Sequence, residues 1–248
     1  MKLPYSFGSL LLLTLILGLP SKSVGCESVT SAITESEQVI RIMPLGDSIT
    51  QADSNHSSYR RPLWILLHQA GYEVEFVGSR QAHFGGPAPY TDFDPDHEGY
   101  WGWRTDQILV HINDWVRTTQ PDIVLIHLGT NDLRAGQSLE STMDELWDLI
   151  QALRQENPSI KVLLAQLIPI AGSEAEVEQL NQLIALVAEY MSIETSPVIL
   201  VDQFSGFNAA MDQDTYDGVH PNQLGEQKLA ERWFSALQQV LVLPQIRY

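Results

Sequence analysis

From Val39 onward the chain alternates short, β-branched apolar runs with longer amphipathic segments, and this alternation narrows the fold more than any other feature. The runs are VIRIMPL (39–45), YEVEFVG (72–78), DIVLIHL (122–128), KVLLAQL (161–167) and SPVILV (196–201), each with strand length and bulk. Helical periodicity fills the gaps, at about Arg61 to Ala70, Thr105 to Thr118, Leu139 to Glu156, Glu174 to Met191 and Asn222 to Val240. A parallel crossover needs about a helix's length of chain, so the pattern predicts an α/β fold. The expected architecture is a five-stranded parallel sheet, order 2-1-3-4-5, with helices on both faces. Ligands of such sheets bind beyond the carboxyl ends of the strands, near the switch point between the first and third.

The N-terminus reads as a targeting segment. Lys2 precedes an apolar run, Gly8 to Pro20, that is too short to span a bilayer core and is followed by the small-residue stretch SKSVG. This predicts a signal peptide over residues 1–25 and a secreted or cell-surface protein. Cys26 is the only cysteine and can form no internal disulfide. The stretch SVGC resembles a bacterial lipobox, although Ser23 stands where that motif prefers Leu. Two mature forms therefore stay open: a free secreted chain, and one that meets the membrane only through a lipid anchor at Cys26. Residues 26–38, rich in Ser, Thr and Glu, read as a flexible tether, which leaves 39–248 as the folded domain. The formal charge of −17, from 31 acidic against 14 basic side chains, repels phosphate backbones and excludes nucleic acid as a partner. Neutral small molecules and polysaccharides, as sugars or esters, fit this charge.

Three loops carry residues suited to chemistry. The first predicted strand ends in GDSIT, where Gly46 permits a sharp turn and Ser48 stands at the mouth of a helix with its N–H free for an anion. The third ends in GTND, which would project the Asn131 amide from the same sheet edge as a donor to a developing oxyanion. Near the C-terminus, DGVHP allows Asp217 to hold one ring nitrogen of His220 while the other points at a serine. Each motif alone also reads as a turn or a cap.

Taken together, GDSIT, GTND and DGVHP resemble the signature blocks of the GDSL or SGNH hydrolases, serine esterases on a flavodoxin-like three-layer sandwich. The resemblance runs from Val39 to Val240. It implies Ser48 as nucleophile, His220 as base, Asp217 as the acid that orients it, and an oxyanion hole built from Ser48, Asn131 and a glycine. That glycine is matched by Gly102, with Gly99 as the second reading. No cofactor or metal is implied. The lipase elbow G-x-S-x-G is absent.

The stretches MPLGDSIT, SYRRPLW and HEGYWGWR resemble, more narrowly, carbohydrate esterase family 3, whose activity is removal of acetyl groups from xylan. The implied substrate is a short-chain, acetyl ester on carbohydrate. Two rivals stay open: a lysophospholipase or thioesterase acting on lipid esters, and an inactive surface protein that binds sugar. The loop from Arg80 to Trp103 is long and aromatic, and such loops set substrate choice. In it Trp101 and Trp103 are candidates for a flat sugar-binding wall, against ordinary packing. Arg60 and Arg61 read as loop ties made through ion pairs. Asp92, Asp94 and Asp96 mimic a calcium loop, but His97 and Trp103 occupy the positions where an EF-hand needs Gly and Glu, which favours a solvated acidic loop. His56, His68, His83, His111 and His127 lack a carboxylate in a shared motif and read as structural.

Overall fold

The computed structural model describes residues 39–241. The expected signal peptide, the tether and Cys26 lie outside the described residues. Six strands form one parallel sheet: β1 (Ile40–Gly46), β2 (Val74–Phe76), β3 (Glu98–Gly99), β4 (Ile123–His127), β5 (Lys161–Ala165) and β6 (Val198–Val201). The order is β2-β1-β4-β5-β6, with β3 paired to β1 off that path. The five expected strands thus stand in the expected order, and β3 is an addition. β4 lines one side of β1 from Ile42 to Gly46, so β2, against Ile40–Ile42, and β3, against Leu45–Gly46, share the other side in succession. A two-residue strand carries no periodicity, which is why β3 is invisible in the sequence.

Side chains alternate across the sheet and feed two cores. Val124 and Ile126 face the layer made by α3 (Thr105–Leu109), α4 (Ile112–Thr119), α6 (Leu139–Glu156) and α7 (Glu174–Met191). Ile123 and Leu125 face α1 (Ser48–Gln51), α2 (Arg60–Gln69) and α8 (Gln223–Leu237), where Trp233 is fully buried. The result is the expected three-layer sandwich. One expected helix, Thr105 to Thr118, is instead two. The N–H of His111 returns to Ile108 three residues back, and the exposed Val110 marks the break. The apolar period at Ile108, Ile112 and Val116 continues through it, so the pattern conceals the turn.

A short helix, α5 (Thr130–Arg134), follows β4 as α1 follows β1, so both strands of the switch point open directly into helical turns. Gly46 makes the first turn possible. A Cβ there would lie 2.3 Å from Thr50 Oγ1 and 2.7 Å from the carbonyl oxygen of His127. Gly46→Ala should therefore cost about 1–3 kcal/mol through overpacking. The check is the urea midpoint against wild type; an unchanged midpoint would remove this constraint.

Candidate active site

The site is built from three loops at the carboxyl edge of the sheet. Asp47 caps α1 by accepting the N–H of Ile49 at 2.9 Å, which fixes Ser48 as the first residue of that helix. In the loop before α8, Oδ1 of Asp217 accepts the N–H groups of Val219 and His220 at 3.0 and 2.7 Å. Gly218, at φ +87°, supplies the left-handed turn between them. The other carboxylate oxygen meets His220 Nδ1 at 2.7 Å, and His220 Nε2 lies 2.9 Å from Ser48 Oγ. Partial burial pushes the Asp217 carboxyl up, but the hydrogen bonds from the His220 backbone and ring and from Val219 outweigh it and hold the group below its usual range. Asn222 then caps α8 through Leu224 and Gly225.

Asn131, on α5, donates one amide N–H to the carbonyl of Trp103 at 2.9 Å. Among the described residues the amide's only other hydrogen bond is a long one, 3.5 Å, to Asp47. The next residue, Asp132, is buried and accepts the N–H of Thr105. The GTND turn thus grips the chain on both sides of Arg104. Gly102 lies in that gripped loop at φ +77°, and among the described residues its N–H and that of Ser48 have no protein acceptor. Gly99 differs. It belongs to β3, and its N–H is taken by His97 Nδ1 at 2.9 Å.

The two tryptophans part company. Trp101 stacks on His220, with ring centroids 4.6 Å apart, and on Phe84, also at 4.6 Å. Its backbone N–H donates to Gln51 Oε1 at 2.8 Å. Trp103 packs into a cluster with Tyr100, His111 and Trp115 above the α3–α7 core, and only its carbonyl reaches the site residues. Of the two candidates for a sugar wall, Trp101 thus lies against the site and Trp103 behind it.

Two expectations are corrected. Arg60 ties loops together without an ion pair: fully buried, it donates to the carbonyls of Thr50, Gln51 and Pro95 and to His83 Nε2. Carbonyl dipoles arrayed around a planar guanidinium take the place of a carboxylate, and burial lowers its pKa to about 10. Arg61 does pair with Asp92, at 2.6 Å. His56 is not without a carboxylate. Asp53, three residues earlier, meets its Nδ1 at 2.7 Å, because the turn after α1 folds the two together. Of the other histidines, His83 and His97 anchor loop carbonyls, His68 meets the Trp64 carbonyl on α2, and His127 is buried at the end of β4, its pKa lowered by burial to about 4. Asp94 and Asp96 are spent separately, Asp94 on the N–H groups of Phe76 and Asp96, and Asp96 on the Gln81 amide.

Behind Ser48 lie two buried acids that the sequence reading passed over. Burial, with Asp132 nearby, raises Asp47 to about 7, and burial also raises Asp132. Their position inside GDS and GTND was the available signal. Ile49, Ala52, His56, Tyr216, Pro221 and Glu226 line a small cleft beside Ser48 and His220 whose free volume is about 10 Å³, room for one water-sized group.

A parallel α/β sheet with serine, histidine and aspartate linked at its carboxyl edge defines the class to which this chain conforms. Residues 45–228 match the GDSL-like Lipase/Acylhydrolase family, and the chain belongs to that family. It is 30% identical over 230 residues to a multidomain esterase of Ruminococcus flavefaciens, covering 83% of this chain and 29% of that protein. The chain thus spans less than a third of that relative. Among solved structures it resembles a carbohydrate esterase family 3 from Talaromyces cellulolyticus at 35% identity and TM-score 0.74, and an acetyl esterase mutant with acetate ion at 35% and 0.73. Each comparison covers 82% of this chain and 98% of the other.

The buried acid behind Ser48 makes stability depend on pH. Asp47 has a folded-state pKa of about 7 against an ordinary 3.8, so folding takes up a proton between those values and stability falls as pH rises through them. Asp47→Asn removes this dependence. The variant should gain on wild type steadily from pH 4 to pH 8 in urea midpoints; parallel curves would show Asp47 ionised throughout.

Proposed function

We propose that this protein is a serine esterase that removes short acyl groups, acetyl above all, from carbohydrate. The observation that carries the reading is the bridge made by His220, 2.7 Å from Asp217 and 2.9 Å from Ser48. His220 Nε2 takes the Ser48 proton as Oγ attacks the ester carbonyl, and Asp217 stabilises the imidazolium so formed. The oxyanion meets the N–H groups of Ser48 and Gly102 and the second amide N–H of Asn131. His220 then protonates the departing sugar oxygen. In the second half it activates water, which releases the acid and returns the proton to Ser48.

The preference for acetyl is supported by the likeness to a family 3 carbohydrate esterase and an acetyl esterase. An acidic chain suits a neutral polysaccharide, and the N-terminal apolar run supports action outside the cytoplasm.

The test is a chain-length series of nitrophenyl esters beside acetylated xylan, with wild type and Ser48→Ala. Turnover should be greatest on acetate and on the acetylated polysaccharide, and Ser48→Ala should lose both turnover and labelling by a fluorophosphonate. Preference for long acyl chains would favour the lipid-ester reading, and absence of labelling in wild type the sugar-binding one. Asn131→Ala should lower kcat by about a hundred- to a thousandfold with little change in KM. A change confined to KM would make Asn131 a substrate-binding residue.

A further inference from the structure

The His220 imidazole lies inside a continuous stack of five rings. In order these are His56, Tyr216, His220, Trp101 and Phe84, with successive centroid separations of 4.1, 5.6, 4.6 and 4.6 Å. Successive planes deviate by only 11°, 15°, 18° and 22°. The rings come from four different loops, so no local turn imposes this alignment. Asp53 holds the ring of His56 at one end at 2.7 Å, and Gln51, from the helix that carries Ser48, holds the backbone N–H of Trp101, next to the other end, at 2.8 Å.

We propose that Trp101, with Tyr216, is a positioning residue for His220: the aromatic faces fix the imidazole plane so that Nε2 stays on Ser48 Oγ, and they stabilise the imidazolium when that proton is taken. Asp217 constrains the ring only through Nδ1, about which the imidazole can still tilt. A parallel aromatic face removes the tilt, and the negative face of an indole attracts a cation at this separation. The inference rests on His220 acting as the base in the reading above.

Simple shielding from water predicts the opposite sign. If Trp101 merely kept His220 dry, it would disfavour the charged ring, and its removal would ease protonation. If it stabilises the charged ring, its removal makes protonation harder. The other groups around His220 are Asp217 in its own loop, Ser48 on α1, the Asp53 and His56 pair beyond Tyr216, and Glu226 of α8 in the same cleft. The loop after β3 contributes the uncharged indole, so a change there alters no charge.

The experiment follows the His220 ring by NMR across pH, assigned by its loss in His220→Gln, in wild type, Trp101→Leu and Trp101→Phe, beside pH profiles of kcat/KM on a soluble acetate ester. In Trp101→Leu the ring titration and the acid limb should both move to lower pH by about 0.4 to 1 unit, with kcat reduced and KM held. Trp101→Phe should retain most of the wild-type position. If Trp101→Leu does not fold, Trp101→Met takes its place with the same expectation. An unchanged titration, or one moved to higher pH, would overturn the proposal. The ring titration needs no turnover, so a wild type inactive on every ester would overturn the esterase reading while the stack was still tested.

Discussion

The site depends on the close approach of two strand ends, β1 at Gly46 and β4 at His127, paired in register with no space for a side chain between them and the first turn of α1. Because the pairing is parallel, both chains leave the sheet in the same direction, and each opens at once into a short helix. Ser48 and Asn131 are therefore neighbours as a consequence of strand register, before any contact between their side chains. A Cβ at Gly46 would press on a backbone carbonyl as well as on Thr50, so the strain could not be relieved by a rotamer change alone.

Register places the loops, and buried polar groups lock them. Asn131 and Asp132 hold the chain at Trp103 and Thr105, so the Gly102 loop is fixed to the end of β4. Arg60 does the same on the other side, holding Thr50, Gln51, Pro95 and His83 together from the start of α2. Desolvating an unpaired guanidinium is costly, and the carbonyls and imidazole around it supply the compensation. Glu226 adds a third tie. It accepts from Ser57 and Ser58, and Ser58 is held at φ +62°, a conformation rare outside glycine. Loops tied in this way let Ser48, His220 and Asn131, from distant parts of the chain, keep their distances.

Most of this was legible in the sequence where a pattern repeats or a motif is local. Five strands and the bounds of α6 and α7 follow from apolar periodicity, and the Asp217 and His220 pair from one short loop. Elements too short to repeat a period, β3 and α5, leave no such trace. The break at His111 is hidden because the same face stays buried on both sides of it. Long-range polar ties were illegible for a different reason. Nothing in the composition around Arg60 says that its partners are carbonyls of α1 and of Pro95 and the imidazole of His83, and an arginine in sequence suggests a carboxylate first. The aromatic residues from Tyr100 to Trp115 show the same limit: their number marks an unusual loop, but which rings pack into the core and which reach the imidazole is set by tertiary contact.

Two histidine and aspartate pairs of identical spacing, Asp53 with His56 and Asp217 with His220, share the cleft, yet only one reaches Ser48. Both engage Nδ1 with a carboxylate at 2.7 Å, so pairing alone does not distinguish them. Direction does. The Asp217 turn stands just ahead of α8 and points Nε2 across the cleft at the start of α1, whereas the Asp53 turn follows α1 and lays its ring on Tyr216, at 4.1 Å. Each carboxylate also folds its own turn: Asp217 accepts two backbone N–H groups and Asp53 accepts that of Asn55. The same short device, an acid that closes a turn and grips a ring three residues on, thus yields a ring aimed at Ser48 in one place and a ring laid on Tyr216 in the other. What separates the two outcomes is whether the turn precedes a helix or follows one.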